Sequence, residues 1–322
     1  MLRRLLTAAV AVPMLVVLAA CSSGPSGASG SSSGGSSPAG TALPTVTGAV
    51  GAAPVVTLPH SNPPSGLKTE VLHQGNGPTV AKGDVVAVNY LGEIWKSAKV
   101  FDSSFASGRN PVAFPVGTGQ LIPGFDTAML GQKVGSRVLA VVPPDQAYGA
   151  NGNSQVGIAA NDTLVFVVDV PGAQPPGASA NGRVAPKAAA SLPTVSTRPG
   201  KPTITIPHTA APTKLVVSPV LQGTGPVVQK GDLVIVEYVG EKWADGKTFD
   251  SSWTRGAPAG FPIGVGQVVK GWDVGLVGRH VGDRVLLVVP PADGYGASGQ
   301  PSAGIKGTDT LVFAVDVLGT YH

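Results

Sequence analysis

The chain has 322 residues, about the length of two ordinary domains, and its only cysteine, Cys21, excludes a disulfide within it. It contains 45 Gly and 30 Pro while only 12% of its residues are charged, which predicts folded units joined by segments that bury no core. The net charge of +4 reflects scarce acidic residues rather than a basic patch, so nucleic acid is not an expected partner, and five scattered histidines predict no metal site.

The first 21 residues predict an export signal. Arg3 and Arg4 precede an apolar stretch, 5–20, which is shorter than the roughly 20 apolar residues that a membrane-spanning helix needs. The stretch ends in Leu18-Ala19-Ala20-Cys21, which resembles the lipobox of bacterial lipoproteins, whose cysteine is acylated and becomes the mature N-terminus. We therefore expect a signal peptide at 1–20 and a palmitate-type lipid on Cys21 that anchors the protein outside the cytoplasm, at the cell membrane. The alternative is an ordinary secretory leader with a chance cysteine.

The rest of the chain contains one internal repeat. Lys82-Gly-Asp84 matches Lys230-Gly-Asp232 at an offset of 148, and the offset becomes 147 after one extra residue near Gly108. The repeats predict two domains, 54–171 and 202–319. Residues 21–53, with the acylated cysteine at their start, are expected to form a flexible Gly/Ser/Pro-rich tether, 172–201 a Pro/Gly/Ala-rich linker, and 320–322 a tail.

Each unit contains several strand patterns and one short helix pattern, taken here in chain order. Runs rich in β-branched residues predict strands at 69–73, 85–91, 137–142 and 163–170, and again at 215–220, 233–239, 284–289 and 310–318. Helices are expected at 124–130 and 271–278, with Asp126 and Asp273 in the first turn, where a carboxylate suits the helix dipole. The expected fold class is α+β, with two tandem domains that each wrap an antiparallel half-barrel sheet on one short helix.

Five short motifs occur in the same order in both units. The second unit has Tyr238-Val-Gly240, Phe249-Asp-Ser-Ser252, Gly271-Trp-Asp273, Gly294-Tyr-Gly-Ala297 and Thr310-Leu-Val-Phe313, and the first has their counterparts from Tyr90 to Phe166. This set resembles the FKBP (macrolide-binding immunophilin) family of peptidyl-prolyl isomerases. The resemblance covers nearly all of both units, and it implies the half-barrel fold and catalysis of X–Pro bond rotation.

The resemblance also implies a proline pocket in each unit. Groups expected to serve catalysis are Tyr238, Phe249, Asp250, Trp272, Tyr295 and Phe313, and in the first unit Tyr90, Phe101, Asp102, Phe125, Tyr148 and Phe166. Groups expected to bind the substrate are Phe261, Val268, Val269 and Ile305, and in the first unit Phe114, Leu121, Ile122 and Ile158. The indole of Trp272 would form the floor, the carboxylate of Asp250 would lie near the rotating amide, and the hydroxyl of Tyr295 would donate to a substrate carbonyl.

Structural readings of these residues remain open beside the functional ones. The aromatic rings could be core, and Asp102 and Asp250, which precede Ser-Ser, could form local turns. Arg255 matches the family arginine that contacts the aspartate, whereas Arg109 is one residue out of step. Phe125 in place of Trp272 gives the first unit a smaller floor, which favours the second unit as the more active.

No cofactor and no metal are expected, because rotation about an amide bond makes and breaks no covalent bond. The expected partners are unfolded or Pro-containing exported polypeptides, with macrolides as ligands implied by the resemblance, and the chain is expected to be monomeric. The alternative function is a binding module or chaperone that holds proline segments in pockets of low turnover.

Overall fold

The computed structural model describes residues 42–106 and 109–322. The predicted signal peptide, Cys21 and the first part of the tether lie outside the described residues, as do residues 107 and 108, where the repeat offset changes. Within the described ranges, no helix has the length and apolar character needed to cross a bilayer.

The first domain is a six-stranded antiparallel sheet with one α-helix and a hairpin in front of it. Its strands are β1 (Thr45–Thr47), β2 (Val55–Thr57), β3 (Lys68–His73), β4 (Val85–Ile94), β5 (Lys99–Ser103), β6 (Val112–Pro115), β7 (Arg137–Val142) and β8 (Leu164–Gln174), and its helix is α1 (Pro123–Met129). The order in the sheet is β3-β7-β8-β4-β5, with β6 also paired to β4, and β1 and β2 form a separate hairpin.

The second domain repeats this topology and, among the described residues, contains one further strand, β9. After β9 (Arg183–Val184) come β10 (Thr194–Val195), β11 (Ile204–Thr205), β12 (Val216–Gln222), β13 (Leu233–Lys242), β14 (Thr248–Ser251), α2 (Ser252–Arg255), β15 (Ala259–Pro262), α3 (Lys270–Leu276), β16 (Arg284–Val289) and β17 (Leu311–Tyr321). The order is β14-β13-β17-β16-β12-β9, with β15 also paired to β13, so the two domains have the expected α+β architecture.

Strand alternation and one glycine place each helix on its sheet. Side chains at alternate positions of β4 face opposite sides, so Val86, Val88 and Tyr90 belong to the main core of the first domain. A Cβ built on Gly124 would lie 2.2 Å from Val142 Cγ1, and only glycine therefore lets the start of α1 approach β7 this closely. The glycine of the Gly-(Phe/Trp)-Asp motif is thus a packing requirement.

Each domain carries a two-stranded hairpin that is held by a buried ion pair. In the second domain, the guanidinium of Arg284 donates to both carboxylate oxygens of Asp316, at 2.6 and 2.7 Å, and to the carbonyl oxygens of Ser196, Arg198 and Gly200 in the β10–β11 hairpin. The Arg137–Asp169 pair binds the β1–β2 hairpin in the same way.

These hairpins correct the predicted tether and linker. Strand β1 lies inside 21–53, and β9 and β10 lie inside 172–201, while β8 continues to Gln174. Residues 45–53, expected within a flexible tether, therefore belong to a hairpin that Arg137 binds, and the expected linker, 172–201, bonds to the second domain. The N–H of Ala180, for example, donates to Asp316 at 2.9 Å, and β9 pairs with β12.

The two domains contact each other through the outer faces of their sheets. Val85 and Ala87 of β4 form a small buried cluster with Leu233 and Ile235 of β13, which are their counterparts in the repeat. Between β6 and β15, a Cβ built on Gly260 would lie 2.4 Å from the Cβ of its counterpart, Ala113. The contact therefore joins equivalent positions, as a two-fold axis between identical subunits would.

Candidate functional site

A carboxylate held by two neighbours lies at the edge of the second domain's aromatic core. The hydroxyl of Tyr238 donates to Oδ2 of Asp250, and the guanidinium of Arg255 forms an ion pair with Oδ1 of the same residue. Arg255 also donates to the Tyr238 hydroxyl at 2.8 Å, and its Cζ lies 5.3 Å from the centre of the Tyr238 ring. Asp250 is therefore fixed in place and remains partly exposed.

Five aromatic rings form one cluster that includes Trp272, which is fully buried at the start of α3. Each centroid lies within 6.2 Å of at least one neighbour in edge-to-face pairs with interplanar angles of 63–90°, the geometry that ring quadrupoles favour. The rings around Trp272 belong to Tyr238, Phe261, Phe313 and, beyond Phe313, Phe249. The structure thus brings together most of the predicted pocket.

The same cluster reaches the surface on one side. Phe249, Val268 and Tyr295 pack against it while only partly buried, whereas Val269 and Ile305 are buried within it. The carboxylate of Asp250 lies at the edge of the same cluster, where the hydroxyl of Tyr238 holds it. All ten residues predicted for this site therefore lie in one region, and their catalytic roles stay predictions.

The glycine of the Tyr-x-Gly motif makes room for two of these rings. A Cβ built on Gly240 would lie 2.7 Å from Phe249 Cζ and 2.9 Å from Phe313 Cε1. On β4, the equivalent Cβ on Gly92 would lie 2.5 Å from Phe101 Cζ. The rings approach this point of the strand closely because no side chain is there, which explains why the residue is glycine.

The second serine of the Phe-Asp-Ser-Ser motif fixes the strand behind the carboxylate. The Oγ of Ser252 accepts from the backbone N–H of Tyr238 at 2.7 Å and donates to the carboxylate of Glu237. Burial raises the pKa of Glu237 above its usual range. Ser104 accepts from the N–H of Tyr90 at 2.9 Å in the first domain. In both domains, the second serine of the motif therefore binds the strand backbone, while the aspartate accepts from the tyrosine hydroxyl.

The first domain contains the same arrangement, with Phe125 in place of the larger Trp272. Tyr90 donates to Asp102, and Arg109 forms an ion pair with that carboxylate even though it is one residue out of step in the repeat. The rings of Phe101, Phe114, Phe125 and Phe166 join that of Tyr90 with centroid distances of 5.1 to 6.4 Å. The remaining predicted residues pack in or against the same core: Leu121, Ile122, Tyr148 and Ile158.

Burial sets the protonation of the tyrosines in both sites. It raises the pKa of Tyr148 to about 12 and the pKa values of Tyr90 and Tyr238 well above their usual range, because the phenolate form would lose its hydration. The neighbouring carboxylates of Asp102 and Asp250 act in the same direction. These hydroxyls therefore remain proton donors at neutral pH.

Asp126 and Asp273, in the first turns of α1 and α3, also bind the loops that precede these helices. Oδ1 of Asp273 accepts from the N–H of Gly264 at 2.6 Å, and Oδ2 accepts from the N–H of Gly266 at 2.8 Å. Asp126 accepts from Gly117 in the first domain at 3.0 Å. Each carboxylate thus ties the loop before its helix to the helix start, which positions the side chains that line the site.

The described residues contain no group of three or more His, Cys, Asp or Glu side chains that could hold a metal ion. The site consists instead of aromatic and aliphatic side chains, one fixed carboxylate and tyrosine hydroxyls. Its aromatic side chains are apolar and partly exposed at one edge, where the carboxylate and the hydroxyl of Tyr238 are the polar groups. Such a site suits binding and conformational chemistry on a peptide.

The family model for "FKBP-type peptidyl-prolyl cis-trans isomerase" matches residues 77–171 and 225–318. The FK506-binding protein of Streptomyces anulatus is 40% identical over 118 residues, which are 37% of this chain and 95% of that protein. Mouse peptidyl-prolyl cis-trans isomerase FKBP9 is 32% identical over 244 residues, 76% of this chain and 36% of that protein. The crystal structure of the three FKBP domains of wheat FKBP73 matches 79% of this chain and 94% of that chain, with 19% identity and a TM-score of 0.34.

Fold and site together define a tandem-domain protein in which each domain has an aromatic cluster with a fixed carboxylate at its edge. The chain belongs to the FKBP-type peptidyl-prolyl cis-trans isomerase family, and both of its repeats are matched by the family model. The predicted family and fold class are thereby confirmed.

Proposed function

We propose that this protein isomerises X–Pro bonds of exported polypeptides at the outer face of the cell membrane, with the second domain the more active. The observation that carries the isomerase proposal is the single cluster that contains Trp272, Phe249 and Tyr295, with the carboxylate of Asp250 held at its edge by Tyr238. The first domain has Phe125 at the position of Trp272, which supports the ranking.

The geometry suits a reaction that needs no covalent chemistry. Rotation about an X–Pro amide is slow because resonance must be lost, at a barrier of about 18–20 kcal/mol. An apolar site around the proline ring disfavours the charge-separated resonance form of the planar amide, and complementarity to the twisted amide stabilises the transition state. Lowering the barrier by about 4 kcal/mol accelerates rotation roughly a thousandfold.

Each polar group has a defined part in this proposal. The carboxylate of Asp250, held by Tyr238 and Arg255, supplies a fixed negative charge beside the rotating amide, and it costs no reorganisation because its partners hold it before substrate binds. The hydroxyl of Tyr295 donates to a substrate carbonyl and so orients the peptide. Ile305 covers the site, and Tyr148 and Ile158 do the same in the first domain.

Removing the two carboxylate charges tests catalysis and the ranking together. In a proline peptide assay with the full chain, we expect Asp250→Asn to remove the larger part of kcat/KM and Asp102→Asn the smaller part. The double variant should retain at most about a tenth of the activity, equivalent to about 1.4 kcal/mol of transition-state stabilisation. Asp245→Asn, an exposed carboxylate between β13 and β14, is the control and should leave the rate unchanged.

Two results would contradict these expectations. A double variant as active as the natural protein would mean that the carboxylates do not serve catalysis. A larger loss from Asp102→Asn than from Asp250→Asn would reverse the ranking of the domains. If the unaltered chain binds proline peptides without accelerating isomerisation, the alternative function, a non-catalytic binding module, is the correct one.

The proposed location depends on Cys21 and has a direct test. We expect Cys21→Ser to release the protein from the membrane fraction, because the acyl chains that bury methylene groups in the bilayer, at about 0.8 kcal/mol each, would be absent. Fractionation and mass measurement of the N-terminal peptide provide the readout. Membrane association that survives Cys21→Ser, or an unacylated cysteine in the natural protein, would contradict the anchor.

A further inference from the structure

A polar cavity of about 350 Å³ opens on the second domain, away from its proline site. The linker strand β9 forms one wall through Arg183, and the turn after α3 forms the other through Gly278, Arg279, His280 and Asp283. The second half of β12 and the loop after it complete the cavity with Pro219, Gln222, Gly223 and Thr224. Its volume falls within the range of about 300–1,000 Å³ that small-molecule sites occupy.

Two arginines converge on this cavity without a partner in the described part of the chain. Neither Arg183 nor Arg279 forms an ion pair or a side-chain hydrogen bond there, and the Nε–H of Arg279 is buried with no acceptor. A buried donor without an acceptor costs about 1–3 kcal/mol, and nearly all such donors in folded proteins have a partner, water or a ligand. The described residues therefore supply no acceptor for these two guanidinium groups.

The one carboxylate in the cavity is already engaged elsewhere. Oδ1 of Asp283 accepts from the N–H of Gly223 at 2.6 Å, and Oδ2 accepts from the N–H of His280 at 3.0 Å. These bonds keep Asp283 on the backbone side of the cavity and away from ion pairing with the arginines. Two guanidinium charges against one carboxylate leave the cavity with net positive charge.

The charged side chains that line the cavity on the side of α3 are not repeated in the first domain. Gln132 and Lys133 occupy the positions equivalent to Arg279 and His280 in the first domain, and Ser136 occupies that of Asp283. Arg183 enters only because the linker docks as an extra strand, with Gln222 paired to Arg183 and the N–H of Gly182 bonded to the carbonyl of Gly282. The arginine and the histidine of this wall are thus particular to the second repeat, and the linker supplies the facing wall.

We propose that this cavity binds a small organic anion through a phosphate or carboxylate group, which accepts hydrogen bonds from Arg279 and Arg183. Guanidinium groups present several N–H donors in one plane, which match the oxygens of such anions. The hydroxyl of Thr224 and the amide of Gln222 provide further donors for the rest of the ligand. Because the linker forms one wall, the ligand would hold the linker strand against the second domain.

The Nε–H signal of Arg279 provides a direct test, because buried arginine Nε–H groups give resolved nitrogen–proton resonances. The full chain is labelled with ¹⁵N-arginine and titrated at constant ionic strength with inorganic phosphate in one arm and with glutarate in the other. Arg279→Gln assigns the resonance by its loss. We expect a saturable shift of the Arg279 and Arg183 signals in at least one arm, and the arm that saturates first identifies the preferred group.

Calorimetry with matched variants completes the test. We expect Arg279→Gln to weaken binding of the preferred anion at least tenfold, and Arg183→Gln to weaken it as well. Arg198→Gln, an exposed arginine outside the cavity, should bind like the natural protein. Isomerase activity should stay unchanged in all three variants. The absence of a saturable shift in both arms, or equal affinity in Arg279→Gln and Arg198→Gln, would overturn the proposal.

Discussion

Arg284→Met is expected to destabilise the second domain by about 3–5 kcal/mol, since the substitution leaves the carboxylate of Asp316 buried without its counter-charge. Both side chains have no solvent exposure, and three carbonyl oxygens of the β10–β11 hairpin lose their donor at the same time. Domains of this size have about 5–15 kcal/mol of stability in total, so the loss approaches unfolding.

Urea unfolding followed by tryptophan fluorescence measures this effect, because Trp243, Trp253 and Trp272 report on the second domain while Trp95 reports on the first. A double variant, Arg284→Met with Asp316→Leu, is the control: it removes both charges and should regain part of the lost stability. Arg279→Met, a half-buried arginine without an ion pair, should cost much less. An unfolding midpoint for Arg284→Met equal to that of Arg279→Met would show that the buried pair does not stabilise the domain.

Trp272→Ala is expected to lower both the stability and the activity of the second domain. The indole has no solvent exposure and meets the rings of Tyr238, Phe261 and Phe313 within 5.5 Å, so its removal should cost about 3–5 kcal/mol. The pocket floor would be lost with it, and kcat/KM of this domain should fall at least tenfold. The assay uses an Asp102→Asn background in the full chain, so that the second domain supplies most of the measured rate.

Trp272→Phe separates the shape of the floor from the stability of the core. This variant reproduces the Phe125 floor of the first domain, keeps an aromatic ring in the cluster and should lose far less stability than Trp272→Ala. The indole Nε1–H has no acceptor among the described residues, so no hydrogen bond is lost with it. If folded Trp272→Phe and the natural domain differ in rate by less than twofold, the difference between floors cannot explain a ranking of the two domains.

Much of the fold could be predicted because the strands that form each core have a strong local pattern. The predicted ranges 137–142 and 284–289 coincide with β7 and β16, and the other long strands differ by a few residues at their ends. The aromatic residues of the site could also be assigned, since the spacing of the family motifs fixes their order along the chain. The distances between their rings depend on residues far apart in sequence and required the structure.

The hairpins were missed because their strands are only two or three residues long and are flanked by Pro and Gly. One signal was present: Leu43-Pro-Thr-Val46 recurs as Leu192-Pro-Thr-Val195, at an offset of 149 rather than 148. A second signal was an arginine and an aspartate inside otherwise apolar strand patterns, at 137 and 169 and again at 284 and 316. Charged residues at such positions are buried only with a partner.

Local patterns also failed where contacts between distant residues decide the structure. Helix α2 is four residues long, too short for any periodic signal. Gly256 follows it as the C-cap, and its φ of +79° suits glycine. The pairing of Arg109 with Asp102 was left open, because one inserted residue changes the register while the loop still brings the two groups together.

The face-to-face contact between the two sheets fixes how a client can use both domains. The outer faces of β4 and β13 meet, so their inner faces, which carry Tyr90 and Tyr238, point away from each other. The two aromatic sites therefore lie on opposite sides of this contact, and a client needs a segment long enough to pass around it before two of its prolines can occupy both sites at once. Closely spaced prolines in one client would have to be processed in succession.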